Sequence, residues 1–230
     1  MGTSRITAKK FATLCISSLL TLAVCAPTIA TAKDKTVEEQ YTVWKHGNFH
    51  RFVVDKAIDF KTYNKIILFP LNYSELTISP KAKTRMQRNW EDFAEKDMPS
   101  LTEKFAELAN REFSKSKQFT PTSTGGKGVL VVEFKALEML PRAYRDSSLG
   151  SVGSETIETV GTLHYQVALI DSATRKMVAM IEDDLPINLS KKRENNRYAH
   201  NRAWHRSFEY IIETFHENLV ELAKVSPLKK

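Results

Sequence analysis

Thr159-Val160-Gly161-Thr162-Leu163-His164-Tyr165-Gln166-Val167-Ala168-Leu169-Ile170 is the stretch from which the fold is read. Leu163, Tyr165, Val167 and Leu169 fall on one side, and Thr162, His164 and Gln166 on the other. Alternation with a period of two marks a strand with one face in a core and the other toward water. Asp171-Ser172-Ala173-Thr174-Arg175-Lys176 then reads as a hairpin connection. Met177 to Ile181 returns as its partner and ends at Glu182-Asp183-Asp184. Upstream, the turn Gly125-Gly126-Lys127-Gly128 introduces a long Val-rich strand from Val129 to Leu140. Strands that follow each other through short links pair antiparallel. Pro141 to Glu155, rich in Ser and Gly, and Pro186 to Asn196 read as loops.

Working outward, the clearest helix is the last. Trp204, Phe208, Ile211, Ile212, Phe215, Leu219, Leu222 and Ala223 recur at three and four residues, which places one apolar stripe on a helix from about Arg197 to Lys224. Met86, Trp90 and Phe93 give a helix over Lys83 to Asp97. Leu101, Phe105, Leu108 and Phe113 give another, opened by a capping box at Ser100 and Glu103. Phe119-Thr120-Pro121 fits a short edge strand. The apolar run Lys65 to Phe69 fits a strand buried on both faces or a central strand under helices. Tyr41 to Phe60 reads as an irregular arm with a short strand at Phe52-Val53-Val54. The expectation is an α+β two-layer sandwich: a mainly antiparallel sheet in β-α-β-β-β-β order, with two or three helices on one face. The boundaries are a leader at 1–32, an arm at 33–60, one domain at 61–226 and a tail at 227–230.

The leader follows from charge and hydropathy. Arg5, Lys9 and Lys10 precede an apolar run from Phe11 to Cys25, and Ala30-Thr31-Ala32 supplies a small-x-small cleavage pattern. The run is shorter than the roughly 20 residues a membrane span needs. Cleavage after Ala32 leaves 198 of the 230 residues and lowers the net charge from +7 to +4, because three cations leave with the leader. Both cysteines, Cys15 and Cys25, leave with it. Leu22-Ala23-Val24-Cys25 is an alternative lipidation box at Cys25, with Val24 where a small residue belongs. The mature chain then has no thiol for disulfides, nucleophilic catalysis or Cys-type zinc sites. The expected location is the periplasm, with an outer-membrane lipoprotein as the alternative.

Val53-Val54-Asp55, then Asp59-Phe60-x-x-Tyr63-Asn64-Lys65 with the run to Pro70, resembles an uncharacterised family of bacterial envelope lipoproteins of about 200 residues. Gly128-Val129-Leu130, the Ser/Gly loop, Gly161, the hairpin Asp171-Ser172-x-Thr174 and the Trp204 helix resemble it too. The resemblance spans roughly residues 50 to 224. It implies an envelope location and no assigned activity or cofactor. This chain departs from the family at Val24, and at Arg175, where a hairpin Gly is usual. The second departure predicts a different turn geometry, since Gly supplies positive φ.

No phosphate-binding loop, zinc-protease helix, nucleophile elbow or dinucleotide fingerprint is present. His46 and His50 have the spacing of a helical metal pair, but Gly47-Asn48 between them argues against a helix, so no metal site is assigned. His164, with Glu182 and Asp183 on the partner strand, is a candidate acid–base or metal trio of a hydrolase. Lys191, Lys192, Arg193, Arg197, Arg202 and Arg206 form a basic run with aromatics interleaved, a pattern that holds polyanions. For an exported protein these are lipid head groups, lipopolysaccharide or glycans, not nucleic acid. Along the same helix Glu209, Glu213, Glu217 and Glu221 follow. Cations at the start and anions toward the end oppose the helix dipole, so this polarity is read as a surface for a protein partner. The leading expectation is a non-catalytic envelope binding or assembly module without a cofactor. Polyanion binding and hydrolase chemistry are the alternatives.

Overall fold

A computed structural model describes residues 40–145 and 155–228. The leader with its Cys25, the lead-in to residue 39 and the Ser/Gly loop over 146–154 lie outside the described residues. The element order is β1 (Tyr41–Val43), β2 (Arg51–Asp55), β3 (Lys65–Leu68), β4 (Thr77–Ile78), α1 (Thr84–Trp90), α2 (Phe93–Lys96), α3 (Met98–Phe113), β5 (Thr120–Pro121), β6 (Val129–Pro141), β7 (Thr156–Asp171), β8 (Met177–Glu194) and α4 (Arg197–Val225). The strands form one sheet in the order β1-β2-β8-β7-β6-β3-β5, with β4 also on β6. From β1 to β6 along this path every pair is antiparallel, and β3, β4 and β5 join in parallel. The protein is therefore an α+β two-layer domain with a mainly antiparallel sheet.

The register converts alternation into two faces. Phe134, Val167, Ile181 and Phe52 lie opposite one another across β6, β7, β8 and β2, and all are buried. One residue along, Lys135, Gln166, Glu182 and Arg51 form a polar row. In a paired sheet, directly opposed residues share a face and successive residues alternate. The apolar row therefore meets the helices and the polar row meets solvent. Phe105 of α3 packs edge-on against Phe134 at 4.9 Å and Phe208 of α4 at 5.2 Å, and Phe134 meets Phe215 at 5.1 Å. Aromatic pairs in this geometry add about 0.5–1.5 kcal/mol each beyond area burial.

Several elements differ from the sequence expectation. The stretch Pro186 to Asn196 is not a loop: β8 continues to Glu194. Leu185, Ile187 and Leu189 are buried and alternate with exposed Pro186, Asn188 and Ser190. Pairing with β2 stops at Glu182, so β8 is an edge strand beyond that point and tolerates the missing N–H of Pro186. The Ser100 capping box does not form. α2 leads through Asp97, itself in helical conformation, directly into α3, and the Leu101 amide already donates to the Asp97 carbonyl at 3.1 Å. The single helix expected over Lys83 to Asp97 is split into α1 and α2. The residue 41–55 stretch is less irregular than expected, since β1 and β2 extend the sheet from β8. The Lys65 to Phe69 run is buried only at Ile66 and leaves Phe69 51% exposed, so it is not covered on both faces.

The hairpin carries a further correction. Arg175 itself takes a φ of 58°. The left-handed residue expected to vanish with the family's Gly is retained by an arginine.

Candidate functional site

The end of β8 and the start of α4 build the site. Asn196 caps α4, its side chain accepting the Ala199 amide at 2.9 Å. From that fixed start, helical spacing distributes the following residues between two concavities. Arg197, His200, Asn201 and Trp204 line a cleft of about 680 Å³ shared with α1, α2 and the start of α3. Arg202, His205, Arg206 and Glu209 line a pocket of about 310 Å³ completed by Leu189 and Ser190 of β8. Each set follows the spacing i, i+3, i+4, i+7 of one helical face. The basic run therefore parts to both sides of one helix instead of forming a single patch.

In the larger cleft Arg145 is the hub. Its guanidinium pairs with Asp92 and Asp97 and lies 5.8 Å from the Trp90 ring centre and 5.7 Å from that of Phe93. Its backbone amide donates to the Asn89 side chain at 2.7 Å. Hydrogen bonds from Lys96 and Arg145 hold the Asp92 carboxyl down at about 2. His200 forms the inner wall, with Nε2 2.8 Å from the Asn195 oxygen. Asn195 in turn donates to the Tyr144 carbonyl and the Glu155 carboxylate, each at 3.1 Å. Because the Asn195 amide nitrogen is spent on these acceptors, its oxygen faces His200, which must donate from Nε2. Burial, reinforced by the Arg145 charge, lowers the His200 pKa to about 4, so the ring is neutral at pH 7. Arg88, Lys96 and Arg197 are exposed at the rim.

The smaller pocket is simpler. Arg202 and Arg206 are exposed one helical turn apart, and Ser190 lines the same pocket. Among the described residues neither arginine closes an ion pair. Glu209, on the same face, is already held by Arg111 of α3 at 2.6 Å and by His205 at 3.2 Å. Two planar cations beside a hydroxyl fit an anionic group of phosphate or carboxylate type. Lys191 and Lys192 are exposed on β8 and lead toward this pocket. Arg193 is half-buried, and its Nε has no hydrogen-bond partner among the described residues.

The acidic row divides as well. Glu209 serves the α3–α4 contact, Glu213 and Glu217 are exposed, and Glu221 pairs with Lys224 at 2.5 Å. The His164 trio changes membership. His164 faces Asp184, Nδ1 to carboxylate at 2.9 Å, and its Nε2 lies 3.6 Å from Glu182. Asp183 is opposite Tyr165 and shares that residue's face, so it is not part of the group. The displacement by one residue follows from the register, which sequence alone does not supply. The rearranged trio lies on the solvent face of the sheet, with Asp184 68% exposed. His46 and His50 sit in turns, not on a helix. Among the described residues no group of three or more His, Asp, Glu or Cys is arranged to hold a metal ion. Among them, too, no helix is long and apolar enough to cross a membrane.

Arg145, Asp92 and Asp97 escaped the sequence reading. The arginine lies about fifty residues from the two aspartates and meets them only because α1 packs beside β6, with Trp90 Nε1 donating to the Ala143 carbonyl just past the strand at 2.8 Å. No local motif announces such a pairing.

The fold defines a class, a two-layer α+β domain with one face of its sheet covered by helices. No family model and no curated protein matches the chain. Solved structures of loosely similar shape include a Xanthomonas campestris protein of family DUF330, 10% identical, covering 70% of this chain and 86% of that one with a TM-score of 0.41. A neuraminyllactose-binding hemagglutinin homolog from Helicobacter pylori is 10% identical, with 71% and 87% covered and a TM-score of 0.37. The PelC dodecamer from Paraburkholderia phytofirmans is 9% identical, with 69% and 91% covered and a TM-score of 0.32.

Proposed function

We propose that this is an exported binding module of the bacterial envelope that holds an anionic ligand between β8 and α4. The observation that carries the reading is the pocket in which Arg202 and Arg206, one turn apart and without carboxylate partners among the described residues, converge with Ser190. A purely structural helix gains nothing from two like charges one turn apart on the same face, which repel each other. A bound phosphate or carboxylate reverses that balance. Lys191 and Lys192 extend the positive field along the approach, and Arg197 with Arg88 continues it around the other side of α4. The leader at 1–32 agrees with a periplasmic setting, where such ligands are head groups and acidic glycans. An envelope protein partner would find Glu213 and Glu217 exposed farther along the helix.

The test is flotation of the mature chain with vesicles containing an anionic phospholipid against vesicles of zwitterionic lipid alone. Binding should be selective for the anionic vesicles and weaken steeply between about 50 and 200 mM salt, as screening of exposed charges requires. The double variant R202Q/R206Q should lose most of it while melting at the same temperature. Equal binding by both proteins, or to both vesicles, rejects the reading. Mass spectrometry of the native N-terminus tests export: a chain beginning at Lys33 is expected, and an intact Met1 contradicts it.

A further inference from the structure

Away from the basic site, where α3 ends and α4 passes beside it, three side chains stand in series. The carboxylate of Glu112 is 2.9 Å from His216 Nδ1, and His216 Nε2 is 2.9 Å from the hydroxyl of Ser116. We propose that Ser116, His216 and Glu112 form an acyl-transfer site in which Ser116 is the nucleophile, His216 the general base and Glu112 the positioning residue. The inference is independent of the anion-binding reading, since it shares no residue with that site.

The protonation pattern follows from the partners. A carboxylate only accepts, so the proton of a neutral His216 resides on Nδ1 and points at Glu112. Nε2 is then a bare lone pair and must accept from the Ser116 hydroxyl. This is the tautomer that removes a proton from a serine, and it is dictated by Glu112 alone. The backbone amide of Phe119 also donates to Ser116 Oγ at 3.1 Å, which holds the hydroxyl in place on its turn. The Phe113 ring packs 4.8 Å from the imidazole and helps to fix its plane. All three side chains are half-buried, with side-chain exposure of 15% for His216 and 24% for Glu112, and Ser116 lies on the turn after α3.

The chemistry balances with an ester and water alone. Ser116 Oγ forms a bond to the acyl carbon as its proton passes to His216 Nε2. The carbonyl is re-formed as the bond to the leaving oxygen breaks, and that oxygen takes the proton from His216. A water molecule then attacks the acyl-serine with the same base, releasing the carboxylic acid and restoring Ser116.

A fluorophosphonate probe on the purified mature protein, read by peptide mass spectrometry, tests the site. Ser114, two residues away and with its own hydroxyl bonded to the Asn110 carbonyl at 2.6 Å, is the internal control. Labelling of Ser116 at least about 100-fold faster than of Ser114 is expected. H216Q should reduce the Ser116 rate to that of Ser114. E112Q should slow it strongly, because an amide can donate to Nδ1 and permits the wrong tautomer, and E112D should restore part of it. Thermal melts of each variant separate loss of fold from loss of reactivity, and S116A, which leaves the His216–Glu112 pair intact, should fold and lose only the labelled peptide. Equal rates at Ser116 and Ser114, or a fast Ser116 rate that survives H216Q, overturns the proposal.

Discussion

Ser207 of α4 donates its hydroxyl to the carbonyl oxygen of Pro186 in β8 at 2.8 Å. This bond joins the helix to the edge strand at the level where both supply residues to the basic pocket. Ser207 is buried, and the carbonyl it satisfies belongs to a residue paired in register with Thr162 of β7. The bond ties α4 to β8 one residue past Arg206 and four residues before Ser190.

Removing the hydroxyl with S207A should therefore leave the Pro186 carbonyl without its protein donor. The expected cost is about 0.5–1.5 kcal/mol, the net worth of a typical hydrogen bond. Urea unfolding monitored by tryptophan fluorescence measures it. A midpoint equal to that of the parent would show that water replaces the hydroxyl.

Acid should weaken the protein before its carboxylates titrate. The His200 pKa is about 4 in the folded protein, chiefly through burial, against about 6.5 in an unfolded chain. Between these values the unfolded state binds the extra proton. Stability is complete above about pH 6.5 and falls as the pH drops toward 4, by an amount on the order of 3 kcal/mol. Asp92, held down at about 2 by Lys96 and Arg145, adds a loss only as the pH falls into and below the normal carboxylate range. Melting temperatures from about pH 7.5 to 4.5 should decline in the parent and far less in H200Q. Parallel curves for the two proteins contradict the assignment.

G161A should damage the sheet. A Cβ at Gly161 would lie 2.4 Å from the Met139 methyl, 2.7 Å from the Leu140 carbonyl oxygen and 3.2 Å from the Pro141 Cα. A methionine end can swing away, but the β6 backbone cannot. Overpacking of this kind costs about 1–3 kcal/mol. Calorimetry should show a lower melting temperature, and an unchanged value would mean that β6 and β7 separate easily at this end.

R175G should act in the opposite sense. Arg175 holds a φ of 58° in the β7–β8 turn, a conformation that costs a residue with a Cβ about 1–2 kcal/mol. Glycine removes that strain but returns part of it as unfolded-state entropy, so a net gain of about 0.5–1 kcal/mol is expected. The chemical denaturation midpoint should rise. A fall would show that the arginine side chain contributes more to the turn than its backbone costs.

Much of this architecture is legible in the linear chain. The alternation from Thr162 to Leu169 defines a two-faced strand, and the Trp204 to Ala223 stripe defines a covering helix, because both signals repeat locally and burial enforces them. Phe119 to Pro121 is readable as an edge for a similar reason: proline has no amide to give to a further neighbour. Sequence reasoning fails where a local cue is outvoted by a distant one. Pro186 looks like the end of a strand, yet Leu185, Ile187 and Leu189 find a core beneath α4. Ser100 looks like a cap, yet Asp97 remains helical and leaves no amide to satisfy.

The site divides along the same line. Charge is a property of the chain, so the basic run from Lys191 to Arg206 is visible in the order of residues alone. Which of those cations meet is a property of helix phase and strand register, and these separate Arg197 from Arg202 and Arg206. Register alone exchanges Asp183 for Asp184 beside His164. Ser116, Glu112 and His216 carry no common motif, since the third member lies about a hundred residues from the others. Their alignment exists only because α4 packs back across the end of α3, a contact that sequence spacing cannot encode and that tertiary burial decides.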